Sequence, residues 1–279
     1  MSSLTKRKPS SAIDAGGAIE DTDIAIQKMK DGGFDLDTDI NQEQRIPRFL
    51  DGTRFPDGSG YCERVTPMTN FVIKGDLKMC RYLFVNGAKC NRTTNATRTN
   101  FPLLMAAKEG HIDICKWLYM HGAKEDIQKL DLMGGGTPLR STILTQRCFY
   151  AYTREYVKKK FSVSQWLILN GALCCQDYND SGQIDEVVLK RDLSIDSRPM
   201  FLSWAQDELK IRNNFLFFLY GTSTNQHKQQ HLFFNGNKSG IMENIADYVG
   251  IVRGRDLRIL RQLASILSTL IQEDEESSN

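Results

Sequence analysis

Apolar residues recur three positions apart in two short stretches of the chain, and each stretch is closed by Gly-Ala. The stretches read GDLKMCRYLFVNGAKCN, from Gly75, and GHIDICKWLYMHGAKED, from Gly110. The apolar positions are Leu77, Cys80 and Leu83 in the first stretch and Ile112, Cys115 and Leu118 in the second. This spacing predicts a helix with one apolar face. The glycine of Gly-Ala predicts the end of that helix.

The two stretches belong to a longer repeated unit. Three pairs of landmarks are each separated by 35 residues: Pro67 and Pro102, Gly75 and Gly110, and Gly87 and Gly122. Proline is well suited to the first turn of a helix, so the prolines predict a first helix ahead of each apolar stretch. A period of this length predicts helix pairs that bury their apolar faces by stacking on their neighbours.

A third, longer copy follows the first two. It begins at Thr137-Pro138-Leu139 and ends at Asn170-Gly171-Ala172, with thirteen residues more than the earlier copies between the proline and Gly-Ala. The added sequence falls within 145–162, a segment named here the insert. We expect the insert to lengthen the first helix of the third pair and the turn after it.

The copies TPMTNFVIKGDLKMCRYLFVNGAKCN and FPLLMAAKEGHIDICKWLYMHGAKED resemble the ankyrin repeat, TPLHxAAxxGHxxxVxxLLxxGAxxN. The chain departs from the family at its first histidine, where Thr69, Leu104 and Arg140 stand instead. The resemblance implies an all-α ankyrin-repeat solenoid of about three repeats over 66–176, with an irregular N-terminal element and a helical C-terminal cap. It also implies a non-enzymatic protein–protein interaction module that binds through 94–101, 130–137 and exposed positions near Lys74 and Lys108.

The rest of the chain is divided by composition. Residues 1–17 are predicted to be a disordered tail. Residues 18–65 are predicted to hold a degenerate helix, ended by Gly32-Gly33, and a long loop from Phe34 to Val65. Residues 177–272 are predicted to form the helical capping region, and 273–279 a disordered acidic tail. Within the C-terminal half, SRPMFLSWAQD and YVGIVRGRDLRILRQL resemble divergent ankyrin proteins of single-celled eukaryotes, which implies no particular activity.

Composition limits which kinds of partner and which cellular compartment are expected. The chain has 36 basic and 34 acidic residues, so its net charge does not favour a polyanionic partner such as nucleic acid. No apolar run approaches the roughly 20 residues needed to span a bilayer, which predicts no membrane segment. Seven cysteines form no paired framework, which favours a reducing compartment. We therefore expect a cytoplasmic protein, with nuclear import through the basic Thr5–Pro9 left open.

Sequence motifs for catalysis are missing. The chain has no nucleotide-binding glycine motif, Walker loop or nucleophile elbow, so we expect no catalytic residue, no cofactor and no small-molecule substrate. His227 and His231 have a spacing compatible with zinc, but the adjacent Cys174 and Cys175 do not form the usual clip, and no metal is expected. The alternative function is an adaptor with metal-dependent or ubiquitin-linked activity.

The insert is the candidate contact surface, because aromatic and basic residues alternate along it. Three interpretations are open: aromatic residues that cover the stack while the charges face water, a protein-binding surface, or, least favoured, a single-stranded nucleic acid site. The partner is taken to be an unidentified protein. The predicted contact residues are Tyr152, Arg154, Tyr156, Lys158 and Lys159 of the insert, with Lys74 and Lys108.

Overall fold

A computed structural model describes residues 19–48, 61–91, 101–130, 136–144, 153–220 and 254–278. In these ranges the fold is all-α, as predicted, apart from one pair of short strands. The chain divides into two compact units, residues 1–174 and 175–279. The helices are α1 (Thr22–Asp31), α2 (Pro67–Ile73), α3 (Leu77–Val85), α4 (Pro102–Glu109), α5 (Ile112–Leu118), α6 (Pro138–Leu144), α7 (Arg154–Leu169), α8 (Glu186–Asp192), α9 (Arg198–Tyr220) and α10 (Gly254–Ser278).

The first unit contains the three predicted helix pairs, α2 with α3, α4 with α5, and α6 with α7. Pro67, Pro102 and Pro138 each occupy the first position of the first helix in a pair, where the missing N–H would have no helical partner. The first helices stack in chain order, α2 on α4 and α4 on α6. Ala106 and Ala107 are fully buried in α4, where their small side chains permit this close packing.

Glycine is required at the turns inside the first two pairs. Gly75 and Gly110 adopt φ values of 74° and 80°, in the left-handed region that disfavours other residues. Space is also limited, because a Cβ atom on Gly75 would lie 2.7 Å from Cε1 of His111. The glycines therefore set both the direction of the chain and the approach of the next pair.

Side-chain amides from other segments hold two of the Gly-Ala turns. Asn41 donates from Nδ2 to the carbonyl of Gly87 at 3.0 Å, and its Oδ1 accepts from the backbone N–H of Lys89 at 2.8 Å. Gln128 donates from Nε2 to the carbonyl of Gly171 at 2.6 Å. Each of these turns is thus fixed by a residue more than 40 positions away in sequence.

The prediction of an uninterrupted loop from Phe34 to Val65 is wrong. Strand β1 (Gln44–Arg48) pairs antiparallel with strand β2 (Tyr61–Val65). The Asp, Gly and Pro residues that indicated a loop include many between the strands, at 49–60, outside the described residues. Pro47 lies within β1, which a two-stranded pair tolerates because both of its strands are edges.

The insert extends the second helix of the third pair, which the sequence did not predict. Helix α7 begins at Arg154 and has 16 residues, against nine in α3 and seven in α5. Thr153 caps it, accepting from the N–H of Tyr156 at 3.3 Å. Lengthening of the first helix stays a prediction, because residues 145–152 lie outside the described part of the chain.

The second unit is built on two long helices. Helices α9 and α10 pack together, and Arg198 in the first turn of α9 pairs with Asp274 near the end of α10, so the helices are antiparallel. One face of α10 is buried at intervals of three or four residues, as helical packing requires. Its most buried leucines are Leu260, Leu263, Leu267 and Leu270. The predicted helix over 241–249 lies outside the described residues.

The acidic end of the chain is helical to Ser278, whereas the sequence predicts disorder from residue 273. Glu273 pairs with Lys190 at 2.6 Å, and Asp274 pairs with the buried Arg198. These ion pairs join residues far apart in sequence, so local charge density alone does not reveal them. The prediction that this region caps the repeats stays a prediction.

Removal of residues 254–279 is expected to unfold the rest of the second unit. Helix α9 would lose the helix that covers it, including the counter-charge of the buried Arg198. We expect the loss of far-ultraviolet helical signal to exceed that of the deleted residues, with increased binding of a hydrophobic dye. Removal of 277–279 alone is the control. A shortened chain that keeps the helical signal of α9 and unfolds cooperatively would contradict this prediction.

Candidate partner-binding site

The start of α7 lies against the end of α4. Helix α7 contacts both α4 and α5. A Cβ atom on Gly110 would lie 3.3 Å from Cβ of Lys159, so the absence of a side chain at Gly110 permits this approach. The extension produced by the insert therefore packs on the turn of the second pair.

Tyr156 links the two helices. It is half-buried, and its hydroxyl donates to the carbonyl of Lys108 at 3.3 Å. Lys108 lies in the last turn of α4, where carbonyl groups lack a helical partner. Tyr156 thus orients the start of α7 by satisfying one of these carbonyls.

The other predicted contact residues of α7 face solvent. Arg154, Lys158 and Lys159 are exposed, as is Lys108 on α4. Lys159 pairs with Glu155 at 3.1 Å, but both side chains are more than half exposed and such a pair contributes little stability. We name Arg154, Tyr156, Lys158, Lys159 and Lys108 the insert face.

Lys160 differs from its basic neighbours, because it is buried. Only 1% of the residue is exposed, and Nζ has no hydrogen-bond partner. Nζ lies 5.2 Å from the centroid of the Tyr156 ring. Burial lowers the pKa of Lys160 to about 8; the charge of Glu109 opposes this shift and that of Lys108 adds to it. Lys160 is therefore a desolvated amine directly beneath the insert face.

Position in the repeat explains why Lys160 is buried. Trp117 and Trp166 are as far apart in the chain as Gly122 and Gly171, and this register places Lys160 where the second pair has His111. Counting back from Gly-Ala would have identified Lys160 as the equivalent of His111 from sequence alone. The run of three lysines, by contrast, predicted only a solvent-exposed surface.

The two equivalent residues have different surroundings. His111 Nε2 lies 3.2 Å from the carbonyl of Ile73, at the end of the preceding first helix. The 35-residue repeat makes Lys108 the equivalent of Ile73, and the Lys108 carbonyl already accepts from Tyr156. Lys160 Nζ is thus left without the contact that its counterpart has.

The remaining predicted contact positions are not all described. Lys74 is exposed at the end of α2, and its Nζ lies 5.2 Å from the centroid of the Phe71 ring on the same helix. Tyr152 and most of the two predicted contact loops, 94–101 and 130–137, fall outside the described residues. The structure therefore brings together four of the five predicted insert residues with Lys108, and it places Lys74 on another helix.

No group of three His, Cys, Asp or Glu side chains that could hold a metal ion occurs in the described ranges. Of the zinc candidates, Cys174 is buried, Cys175 is exposed, and His227 and His231 lie outside those ranges. Burial raises the pKa of the Cys115 thiol, which keeps it neutral at physiological pH. Among the helices described, none is long and apolar enough to cross a membrane.

These features define a class: a stack of helix pairs, each begun by proline and closed at Gly-Ala. Residues 68–119 match the family model of ankyrin repeats, a module that occurs in many copies. The segment from α2 to the end of α5 therefore consists of ankyrin repeats, which confirms the resemblance for this part of the chain. No curated protein matches the chain significantly. Ankyrin repeats typically bind protein partners and are typically non-enzymatic.

Proposed function

We propose that this protein is a non-enzymatic scaffold or adaptor that binds an acidic surface of a partner protein through the insert face. The observation that carries the proposal is the exposure of Arg154, Lys158 and Lys159 on a helical extension that the first two pairs lack. Because α7 packs on both α4 and α5, its charges are presented without the ordering cost of a flexible loop. Tyr152 and Lys74 are proposed as additional contacts, and the compartment as cytoplasm or nucleus.

A protein partner fits these residues better than nucleic acid does. Binding of single strands combines a basic groove with aromatic rings on which bases stack. The Tyr156 ring instead covers Lys160, and its hydroxyl is bonded to Lys108. The insert face therefore offers charge without a free stacking platform.

Replacing Arg154, Lys158 and Lys159 together with alanine is expected to weaken binding without unfolding the protein. The partner is identified by affinity capture from lysate with mass spectrometry, and its dissociation constant is then measured for each variant. We expect a loss of at least about tenfold, equivalent to roughly 1.4 kcal/mol. The melting temperature should stay within a few degrees, because exposed substitutions have small effects on stability.

The matched control replaces Lys78, Lys89 and Lys116 with alanine, which removes the same charge from exposed positions outside the insert face. Equal losses in the two triple variants would show a non-specific effect of net charge. Unchanged binding in the insert variant would reject this surface as the contact site.

A further inference from the structure

Lys160 brings hydrogen-bonding capacity that the folded protein does not use. An ammonium group has three donors, and Nζ of Lys160 has no hydrogen-bond partner. Burying a charged group without a partner is strongly unfavourable. An anion in contact with Nζ would therefore stabilise the charged form of Lys160.

Tyr156 is the residue of the insert face whose ring lies next to this group. Its ring lies over Nζ, one helical turn before Lys160, and the residue is itself half-buried. The bond between its hydroxyl and the Lys108 carbonyl is long, at 3.3 Å. Rotation of this side chain would open Nζ towards the insert face.

The charged groups on the helices around Lys160 leave Nζ without an ion pair in the described residues. Helix α4 contributes Lys108 and the half-buried Glu109, which act on Lys160 in opposite directions, and helix α5 contributes the buried thiol of Cys115. The charged residue of α6 is Arg140, and α7 itself adds Glu155 and Lys159. Glu109 attracts Lys160 but forms no ion pair with it in the described part of the chain.

We propose that Nζ of Lys160 binds a carboxylate from an acidic segment of the partner, which enters by displacing the Tyr156 ring. The proposal rests on the proposed function and identifies a buried anchor beneath the exposed charges. Since the amine is already desolvated, pairing requires no further dehydration on its side. The basic residues of the insert face attract the same acidic segment.

Binding of a carboxylate to this site should take up a proton. Burial lowers the pKa of Lys160 to about 8, so part of the population is neutral at pH 8.5. A carboxylate in contact favours the charged form and raises that pKa. Binding to the free protein is thus linked to protonation of Lys160.

The test uses isothermal titration calorimetry of the full chain with hexaglutamate, at pH 8.5 in Tris and in HEPES, whose ionisation enthalpies differ. For the natural protein we expect measurable binding with net proton uptake. Lys160→Met should bind about tenfold more weakly at pH 7 and take up no proton at pH 8.5. Lys160→Arg should retain affinity without proton uptake, because a guanidinium stays charged at this pH.

Lys116→Met is the control, since it removes an exposed lysine outside the insert face and should preserve proton uptake. Proton uptake that persists in Lys160→Met, or no binding of hexaglutamate to the natural protein, would overturn the proposal. Proton uptake on addition of inorganic phosphate, but not of hexaglutamate, would also overturn the proposal. If the insert-face triple variant loses the captured partner while Lys160→Met binds hexaglutamate normally, the proposed function stands and the buried anchor is rejected.

Discussion

Replacing Leu118 with alanine is expected to destabilise the protein by roughly 2–5 kcal/mol, the range found for leucine in a packed core. Leu118 is 0% exposed, and α5 packs between α4 of its own pair and α7 of the next. Truncation would leave a cavity at the junction between repeats. The free energy of unfolding, measured by urea denaturation, checks the effect.

Lys116→Ala is the control for this measurement, because Lys116 is an exposed residue of the same helix. Its effect should stay within about 0.5 kcal/mol. A loss that small for Leu118→Ala would mean that the apolar register of α5 has been assigned to the wrong face.

Replacing Lys160 with methionine is expected to stabilise the protein, by roughly 3 kcal/mol at pH 7. The pKa of Lys160 falls from 10.5 to about 8 on folding, and each unit of difference corresponds to about 1.4 kcal/mol. Methionine has similar length and carries no charge, so the variant avoids the desolvation of the amine. Urea denaturation of both proteins at pH 7 measures the difference.

The stabilisation should depend on pH in a defined direction. Between pH 8 and 10.5 the unfolded chain holds the proton on Lys160 while the folded chain releases it. Stability of the natural protein therefore rises with pH across this window, and below it the full penalty is present. The advantage of Lys160→Met should shrink as the pH approaches 10.5.

The exposed Lys159→Met is the control for this series and should show no comparable gain in stability. If Lys160→Met instead lowers stability at pH 7, the amine must have a stabilising partner in the folded protein. A difference from the natural protein that is constant with pH would show that the effect comes from packing and not from charge.

The repeats could be predicted from sequence because their signals are local. A proline at the first helical position and a glycine with positive φ act within a few residues, so Pro67, Pro102, Gly75 and Gly110 were enough to place α2 to α5. The strand pair could not be placed in this way. β1 and β2 stabilise one another across an intervening segment rich in loop-forming residues, and Pro47 weakens the strand pattern further.

Long-range contacts explain the other differences. The acidic end of α10 is ordered by Lys190 and Arg198, which no local pattern connects to it. In the candidate site, the exposure of Arg154 and Lys158 agrees with ordinary solvation of charged residues. Lys160 is buried because the repeat register, after the insert, places it at the position that His111 occupies in the second pair. The composition of the insert does not reveal this position.

The equivalence of His111 and Lys160 limits how far these repeats can serve as interchangeable modules. A chimaera in which the second pair replaces the third would bring a histidine to the Lys108 carbonyl and omit Tyr156. Transplanting the third pair elsewhere would require a preceding first helix whose terminal carbonyl is free to accept from tyrosine. The residues on the two sides of this boundary between repeats must therefore change together when a repeat is duplicated or redesigned.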